Sequence, residues 1–433
     1  MFALLDANNF YVSCEKCFQP ALRDKPVVVL SANDGCAIAR SEEAKALGIK
    51  MGEPYFKFKH LELTHGLVTR SACFPLYADL SSRLMSIASG MGCDVEQYSI
   101  DEQFIDLSGV RDITRRAWVI GARIHRGLGI ACGVGIGPTK TLAKFANHIA
   151  KTSERRPGSY PARLQRVCNL AELSHQELAA ALEATPVGEI WGVGPRISAQ
   201  LYDAGILNAL QLSKLDLGTV RRHWSVVMER TVRELNGEPC LTLESQPEPK
   251  QMIACTRSFG SPVSELDPLI EAVSDFASRA AQKLRLQGSV AAQIQVFAHT
   301  SRFRPPPHFH RSIVVPLIRP TSDTGLIVAS AVHGIKRIYR EGFELKKAGV
   351  ILMDLNDKAD LQHELDLGDE ICDRGSLFAA VDELNKRYGR GTVHIGSTGT
   401  HAARTKGAAW ATRQERRSPL YTTSLADIPE VRC

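Results

Sequence analysis

The sequence predicts a multidomain chain of mixed class, α/β plus α+β, and three observations carry that prediction. At 433 residues it exceeds what one hydrophobic core commonly supports. Its N-terminal part alternates short apolar runs with segments of helical periodicity, the pattern of an α/β domain. After a proline-containing break, a second stretch runs strand, helix, strand, strand, helix, strand, which is the split βαβ order.

The elements follow in order. Phe2–Leu5 is a short buried strand ending at Asp6, and Val27–Leu30 is another. Alanines and charges between Ile38 and Leu47, followed by Gly48, predict a short helix with a glycine stop. Leu76–Met91 is helical in spacing, and Val95–Tyr98 and Phe104–Leu107 are strands joined by the turn Ser99-Ile-Asp-Glu-Gln103. A helix over Thr114–Leu128, a strand over Ile130–Ile136 and a helix over Thr139–Ala150, opened by Pro138, complete this domain. Leu170–Leu235 is helical throughout, and Gly237–Lys250, with Pro239, Pro247 and Pro249, is a linker. The split βαβ domain then uses strands Met252–Phe259, Val290–Ala298, Ile313–Ile318 and Ala348–Leu355, with helices Leu266–Leu286 and Gly325–Tyr339.

Composition excludes several classes. Hydrophobic residues make up 44% and charged residues 23%, ordinary for a soluble globular chain. No apolar run approaches the roughly 20 residues of a membrane span. The start, Met1-Phe-Ala-Leu-Leu-Asp6, has no basic segment of the kind a signal peptide carries, so a cytoplasmic location is expected. The eleven cysteines are irregularly spaced and are expected to be reduced; Cys14-x-x-Cys17 has no second pair to complete a zinc site.

Charge is uneven along the chain. Residues 1–249 hold 28 basic and 27 acidic side chains, whereas residues 250–353 hold 14 against 7 and four histidines. That excess marks the split βαβ domain as a candidate polyanion surface. Residues 354–383 hold ten acidic and two basic side chains, and 384–433 hold three and nine, which predicts an interaction tail outside any packed core.

The chemistry-bearing constellation is acidic. Asp6 ends an apolar strand, and Asp101-Glu102 lie in the predicted turn of Tyr98-Ser-Ile-Asp-Glu-Gln-Phe104. Adjacent carboxylates on a strand point to opposite faces, but in a turn both can reach one site. Three hard oxygen donors suit two magnesium ions, the arrangement nucleotidyl transfer uses, with the ions about 3.5–4 Å apart.

Two of these segments carry a resemblance. Asp6-Ala-Asn-Asn-Phe-Tyr-Val-Ser-Cys-Glu15 and Tyr98-Ser-Ile-Asp-Glu-Gln-Phe104 resemble the metal-binding motifs of Y-family DNA polymerases. Lys25-Pro-Val-Val-Val-Leu-Ser-Ala-Asn-Asp-Gly-Cys-Ala-Ile-Ala-Arg40, Glu43–Gly52, Glu229–Cys240 and Ser418-Pro-Leu-Tyr-Thr-Thr423 narrow it to the UmuC type, the catalytic subunits of bacterial DNA polymerase V and their plasmid-borne relatives. The resemblance implies error-prone, template-directed translesion synthesis in the DNA damage (SOS) response. The implied fold is a right-hand polymerase with a ferredoxin-like palm at 1–20 and 75–165, small fingers at 21–74 and a helical thumb at 166–240. A linker at 241–249, a little finger at 250–355 and a C-terminal interaction tail at 356–433 complete it.

The resemblance also assigns residues. Asp6, Asp101 and Glu102 would hold two Mg2+ ions, with the Ala7 carbonyl as a further ligand. Tyr11 would be the steric gate against ribonucleotides. Arg40, Lys45, Lys144 and Lys151 would meet the incoming nucleotide.

Contacts to primer-template DNA come from two places. Val187–Ser198 has the form of a helix-hairpin-helix, with Gly192 and Gly194 about Val193, Pro195 opening the next helix, and Arg196 as a phosphate partner. Arg257, Arg302, Arg304 and Arg311 are the candidate phosphate contacts of the little finger. In the tail, Gln362, Leu365 and Leu367 preserve part of a sliding-clamp peptide. UmuC-type subunits also imply a processed UmuD-type dimer and a RecA filament as partners. A nucleotidyl cyclase on a related palm, or a non-catalytic DNA-binding repair protein, are the rival readings. The first predicts no hairpin-helix and no basic βαβ domain; the second leaves the three carboxylates unexplained.

Overall fold

A computed structural model describes residues 1–244, 248–360, 374–399 and 410–429. The chain divides into two compact units: Met1–Ser31, Gly35–Pro247 and Arg416–Cys433 form the first, Ala32–Asp34 and Glu248–Glu415 the second.

The strands of the first unit are β1 (Phe2–Ala7), β2 (Val27–Leu30), β3 (Ala37–Arg40), β4 (Val68–Ser71), β5 (Val95–Gln97), β6 (Glu102–Asp106), β7 (Cys132–Gly137) and β8 (Val167–Asn169). They make a five-stranded sheet ordered β5-β6-β1-β7-β8 and a three-stranded sheet ordered β3-β2-β4. β1 is central and antiparallel to both neighbours, and Ala3, Leu4 and Leu5 are wholly buried, which is why that run is apolar without alternation. The large sheet continues beyond the palm boundary expected at residue 165, because β8 pairs in parallel with β7.

Two local readings differ from expectation. The segment 37–47 is not one helix: β3 runs to Arg40, and Ser41 then caps a short helix, Glu42–Ala46, by accepting the Ala44 N–H. The helix after β7 is also longer than expected. Thr139 caps it through the Leu142 N–H and it runs Lys140–Arg155, adding more than a turn.

β7 reads Cys-Gly-Val-Gly-Ile-Gly, and its alternate glycines face that helix. A Cβ on Gly135 would stand 2.1 Å from the Asn147 nitrogen and 2.2 Å from the Ala143 oxygen. Only glycine lets the helix lie this close to the strand.

In the second unit, β9 (Ile253–Val263), β10 (Ser289–Thr300), β11 (His310–Thr321) and β12 (Leu345–Asp357) form a sheet ordered β11-β10-β12-β9. Helices Leu266–Leu286 and Thr324–Ile338 bury one face of it in a single apolar core.

The tail needs correcting, since its described parts are packed. Phe378, on the helix Gly375–Tyr388, and Trp410 are buried in the second unit, and the Asp382 carboxylate accepts a bidentate pair of bonds from Arg285. In the first unit, the Arg416 carbonyl accepts the Ser71 N–H and the Arg416 N–H donates to the Ser71 hydroxyl, both at 3.0 Å, and Tyr421 stacks on Phe18 at 4.7 Å. Charge segregation hid the few aromatic anchors, Phe378, Trp410 and Tyr421, that hold these stretches down. Gln362, Leu365 and Leu367 lie outside the described residues.

Candidate active site

The five-stranded sheet presents its acidic residues at one end. Asp6 on β1 pairs with Glu102 on β6, so antiparallel register puts both side chains on one face. Glu102 therefore opens a strand rather than sitting in the turn. The turn proper holds Asp101: the Ser99 hydroxyl donates to Asp101 Oδ1 at 2.6 Å and accepts the Asp101 and Glu102 N–H groups. The Asp101 carbonyl accepts the Ala7 N–H at 3.0 Å, tying the turn to the end of β1.

The helix Lys140–Arg155 supplies the countercharge. Lys151 Nζ stands 2.6 Å from Asp6 Oδ1, and Lys144 Nζ 3.0 Å from Glu102 Oε2. Gly133 is the register partner of Asp6, and a Cβ there would stand 3.1 Å from Lys151 Cγ, so its missing side chain clears the lysine's path. Burial pushes the Asp6 carboxyl above the usual carboxylate range; Lys151 opposes that and the Glu102 charge adds to it.

Two adjoining clefts share Asp6, Lys151 and Arg155. One is bordered by Glu102, Lys144, His148 and Trp191, the other by Ala7, Tyr11, Arg40, Lys45 and Asp101. Tyr11 stacks on Tyr77 at 4.7 Å and meets Phe74 edge-on at 6.0 Å. Lys45 Nζ donates to Asn9 Oδ1 and Glu42 Oε1, both at 2.8 Å, and Arg40 Nη1 to the Ile49 carbonyl at 2.6 Å.

All the expected catalytic and nucleotide-binding positions thus border one pair of clefts. Among the described residues no three His, Cys, Asp or Glu side chains are gathered as a ready metal-ligand cluster. The donors at hand (the three carboxylates and the Ala7 carbonyl) are nonetheless all oxygen, the set a hard divalent cation takes.

Sequence reasoning missed Arg155, Tyr98 and Trp191. Lys144 lies 4.5 Å above the Tyr98 ring and 5.2 Å above that of Trp191, and the Trp191 indole N–H donates to the Tyr98 hydroxyl at 3.3 Å. Helical spacing from Lys144 through Lys151 to Arg155 could have found the arginine, had the helix been extended past Ala150.

The nine described cysteines are free thiols; burial pushes Cys17 up to about 11, and Cys17 Sγ donates to the Leu128 carbonyl at 2.8 Å.

The hairpin expected around Val193 has a single 3-10 turn, Val187–Glu189, as its first arm and the helix Pro195–Asp203 as its second. Gly192 has φ +90°, a conformation that glycine alone adopts readily, and Gly194 caps the helix. Gly194 and Arg196 are exposed.

In the second unit, alternation sorts the arginines. Arg257 falls in register with buried Cys255 and Phe259, its guanidinium over the rings of Trp410 at 5.9 Å and Phe276 at 6.0 Å. That is the helix-packed face, so the expectation of an Arg257–phosphate contact is corrected: the side chain is spent on packing. Arg311 pairs with Ala298 on the same face but at the exposed strand end. Arg302 is exposed in the 301–309 loop, and Arg304 pairs there with Glu344. The opposite face carries His299, His310 and Lys347, joined by the pairings His299↔His310 and His299↔Lys347, which period-two counting along β10–β12 would have revealed.

The fold is the one shared by Y-family DNA polymerases. The chain superimposes on a Y-family DNA polymerase chimera of Dbh and Dpo4 with a TM-score of 0.61, at 17% identity, covering 82% of this chain and 99% of that one. The chain belongs to the impB/mucB/samB family, matching it over residues 5–148, its C-terminal domain over 250–367, and a domain of unknown function, DUF4113, over 376–431. Among curated relatives it is 43% identical to protein UmuC of Salmonella typhimurium over all of both chains. It is 27% identical to DNA polymerase IV of Moorella thermoacetica, over 90% of this chain and 94% of that one. Among the described residues no helix is long and apolar enough to cross a membrane.

Proposed function

We propose that this chain is an error-prone, template-directed DNA polymerase of the translesion type, transferring nucleotides from dNTP to a primer 3′-hydroxyl. The observation that carries this reading is the facing pair Asp6 and Glu102, with the Asp101 turn tied to the end of the same strand. Family membership and the name DNA polymerase IV on a relative support it. The cyclase rival predicts neither the Val187–Ser198 hairpin nor a basic βαβ domain, and a purely DNA-binding protein has no use for the acidic cluster.

In this reading Asp6, Asp101, Glu102 and the Ala7 carbonyl would hold two Mg2+ ions. When bound, such ions supply Lewis-acid activation and charge neutralisation on transferring phosphates. The chain's own side chains do the positioning. Tyr11 forms the wall facing the sugar of the incoming nucleotide. Lys151, Lys144 and Arg155 present cations along one helical face to the triphosphate and the departing pyrophosphate, and Arg40 and Lys45 border the cleft that Lys151 and Arg155 also line. The hairpin at Gly192–Arg196 and the His299–His310–Lys347 face grip the duplex through its phosphates, without reading sequence.

Primer extension tests the proposal. The purified chain is offered a primed template, dNTPs and Mg2+, alone and with a processed UmuD-type dimer, a RecA filament and a sliding clamp, the partners family membership implies. Template-dependent extension supports the reading. Cyclisation of a nucleoside triphosphate without DNA, or DNA binding with no turnover under any combination, overturns it.

A further inference from the structure

The C-terminal strap after Arg416 reaches the active-site cleft through four side chains of the first unit. Ser418 is buried, and its hydroxyl donates to Glu15 Oε1 at 3.1 Å. The same oxygen accepts the Tyr77 hydroxyl at 2.6 Å. Tyr77 is wholly buried, and its ring lies on Tyr11 with 4.7 Å between centroids and 20° between planes. Tyr11 borders the cleft that also holds Asp6 and Asp101.

Two features argue that this is more than a brace. Glu15 is wholly buried, and its second oxygen, Oε2, has no hydrogen-bond partner among the described residues. A buried carboxyl is costly where an apolar side chain would fill the same space, and here one of its oxygens is engaged by both Ser418 and Tyr77. The strap is also fixed on both sides of Ser418. Arg416 is bonded to Ser71 through the backbone, while Tyr421 stacks on Phe18 and accepts a bond from Gln19 at 3.0 Å. The Ser418 hydroxyl is thereby aimed at Glu15 from a rigid mount.

We propose that Ser418 and Glu15 are positioning residues for sugar selection: the C-terminal strap sets, through Tyr77, where the Tyr11 ring stands in the cleft. The assignment gives residues 416–423 of the domain of unknown function a role at the polymerase site. It rests on the reading that Tyr11 faces the nucleotide sugar.

The test compares incorporation of a dNTP with that of the matching rNTP by the full-length chain, supplied with whatever partners its activity requires. Ser418→Ala keeps dNTP kcat/KM within about twofold, while the dNTP-to-rNTP ratio falls about fivefold, the worth of one hydrogen bond. Ser418→Thr, which keeps the hydroxyl, restores the ratio. Tyr77→Phe, which keeps the ring and removes its tether, lowers the ratio as Ser418→Ala does and reads the same link should Ser418→Ala fail to fold. A loss shared equally by both nucleotides, or a melting-temperature drop with an unchanged ratio, means a brace only and overturns the proposal. Tyr11→Ala separates the two readings. If it leaves the ratio unchanged, the gate assignment itself is wrong; if it collapses the ratio while Ser418→Ala and Tyr77→Phe do not, only the relay is wrong.

Discussion

Asp6 and Glu102 stand directly opposite one another on the β1–β6 ladder, and each is paired with a lysine from the same helix. Like charges across a ladder repel, and this geometry persists because Lys151 and Lys144 lie on the shared face. Lys151 is thus both a counterion and, in the proposed reaction, a triphosphate contact. Lys151→Ala is expected to lower single-turnover extension by about 10²-fold, the scale for removing one preorganised charge-stabilising group, with DNA affinity by anisotropy almost unchanged.

Gly135 controls the same lysines from behind. A methyl group there meets helix backbone at 2.1 Å, so Gly135→Ala forces the helix Lys140–Arg155 off the sheet. Overpacking of this kind costs roughly 1–3 kcal/mol. The expected outcome is a lower melting temperature together with lost extension, whereas an alanine at exposed Gly127 is not expected to reproduce the catalytic loss, because nothing lies within 4 Å of its Cβ position.

Glu15 makes stability pH-dependent. Burial pushes its carboxyl above the ordinary value of 4.5, against the opposing effects of Tyr77, Ser418 and Arg70. The folded chain therefore holds this proton more tightly than the unfolded chain. Its stabilising contribution is complete below the unfolded pKa and fades as pH rises through the folded one. Glu15→Gln removes that dependence, so the variant's melting temperature relative to wild type should climb from about pH 4 to pH 8. A difference that stays flat across the range contradicts the burial argument.

The two faces of the second unit's sheet predict opposite phenotypes. Lys347→Ala should weaken DNA binding uniformly across sequences and reduce the salt slope by about 1. Arg257→Ala should leave the slope intact and lower stability, because its guanidinium packs on Trp410 and Phe276. Binding titrations at several salt concentrations, with melts alongside, distinguish them.

Much of this was legible beforehand, for physical reasons. The split βαβ order stood out because each of its elements is long and strongly patterned, and helix Leu266–Leu286 falls where its periodicity placed it. The carboxylates were visible as a set because strand ends and turns leave short recognisable runs. What stayed hidden depended on register or distance along the chain. Glu102 belongs to a strand because Asp6 pairs with it, a fact that neither segment contains alone. Arg257 looked like a phosphate contact until alternation turned it inward. The tail gave no periodic signal, since it is held by isolated anchors such as Trp410 and Tyr421 whose partners lie in other parts of the chain.

The most direct test of the acidic site is the Asp101→Ala variant, assayed for primer extension with Mg2+ and, in parallel, for primer-template affinity. Extension should vanish while affinity stays within about twofold, since the carboxylate serves the chemistry and the DNA grip lies elsewhere. An Asp101→Ala chain that extends primers at the wild-type rate would contradict the account.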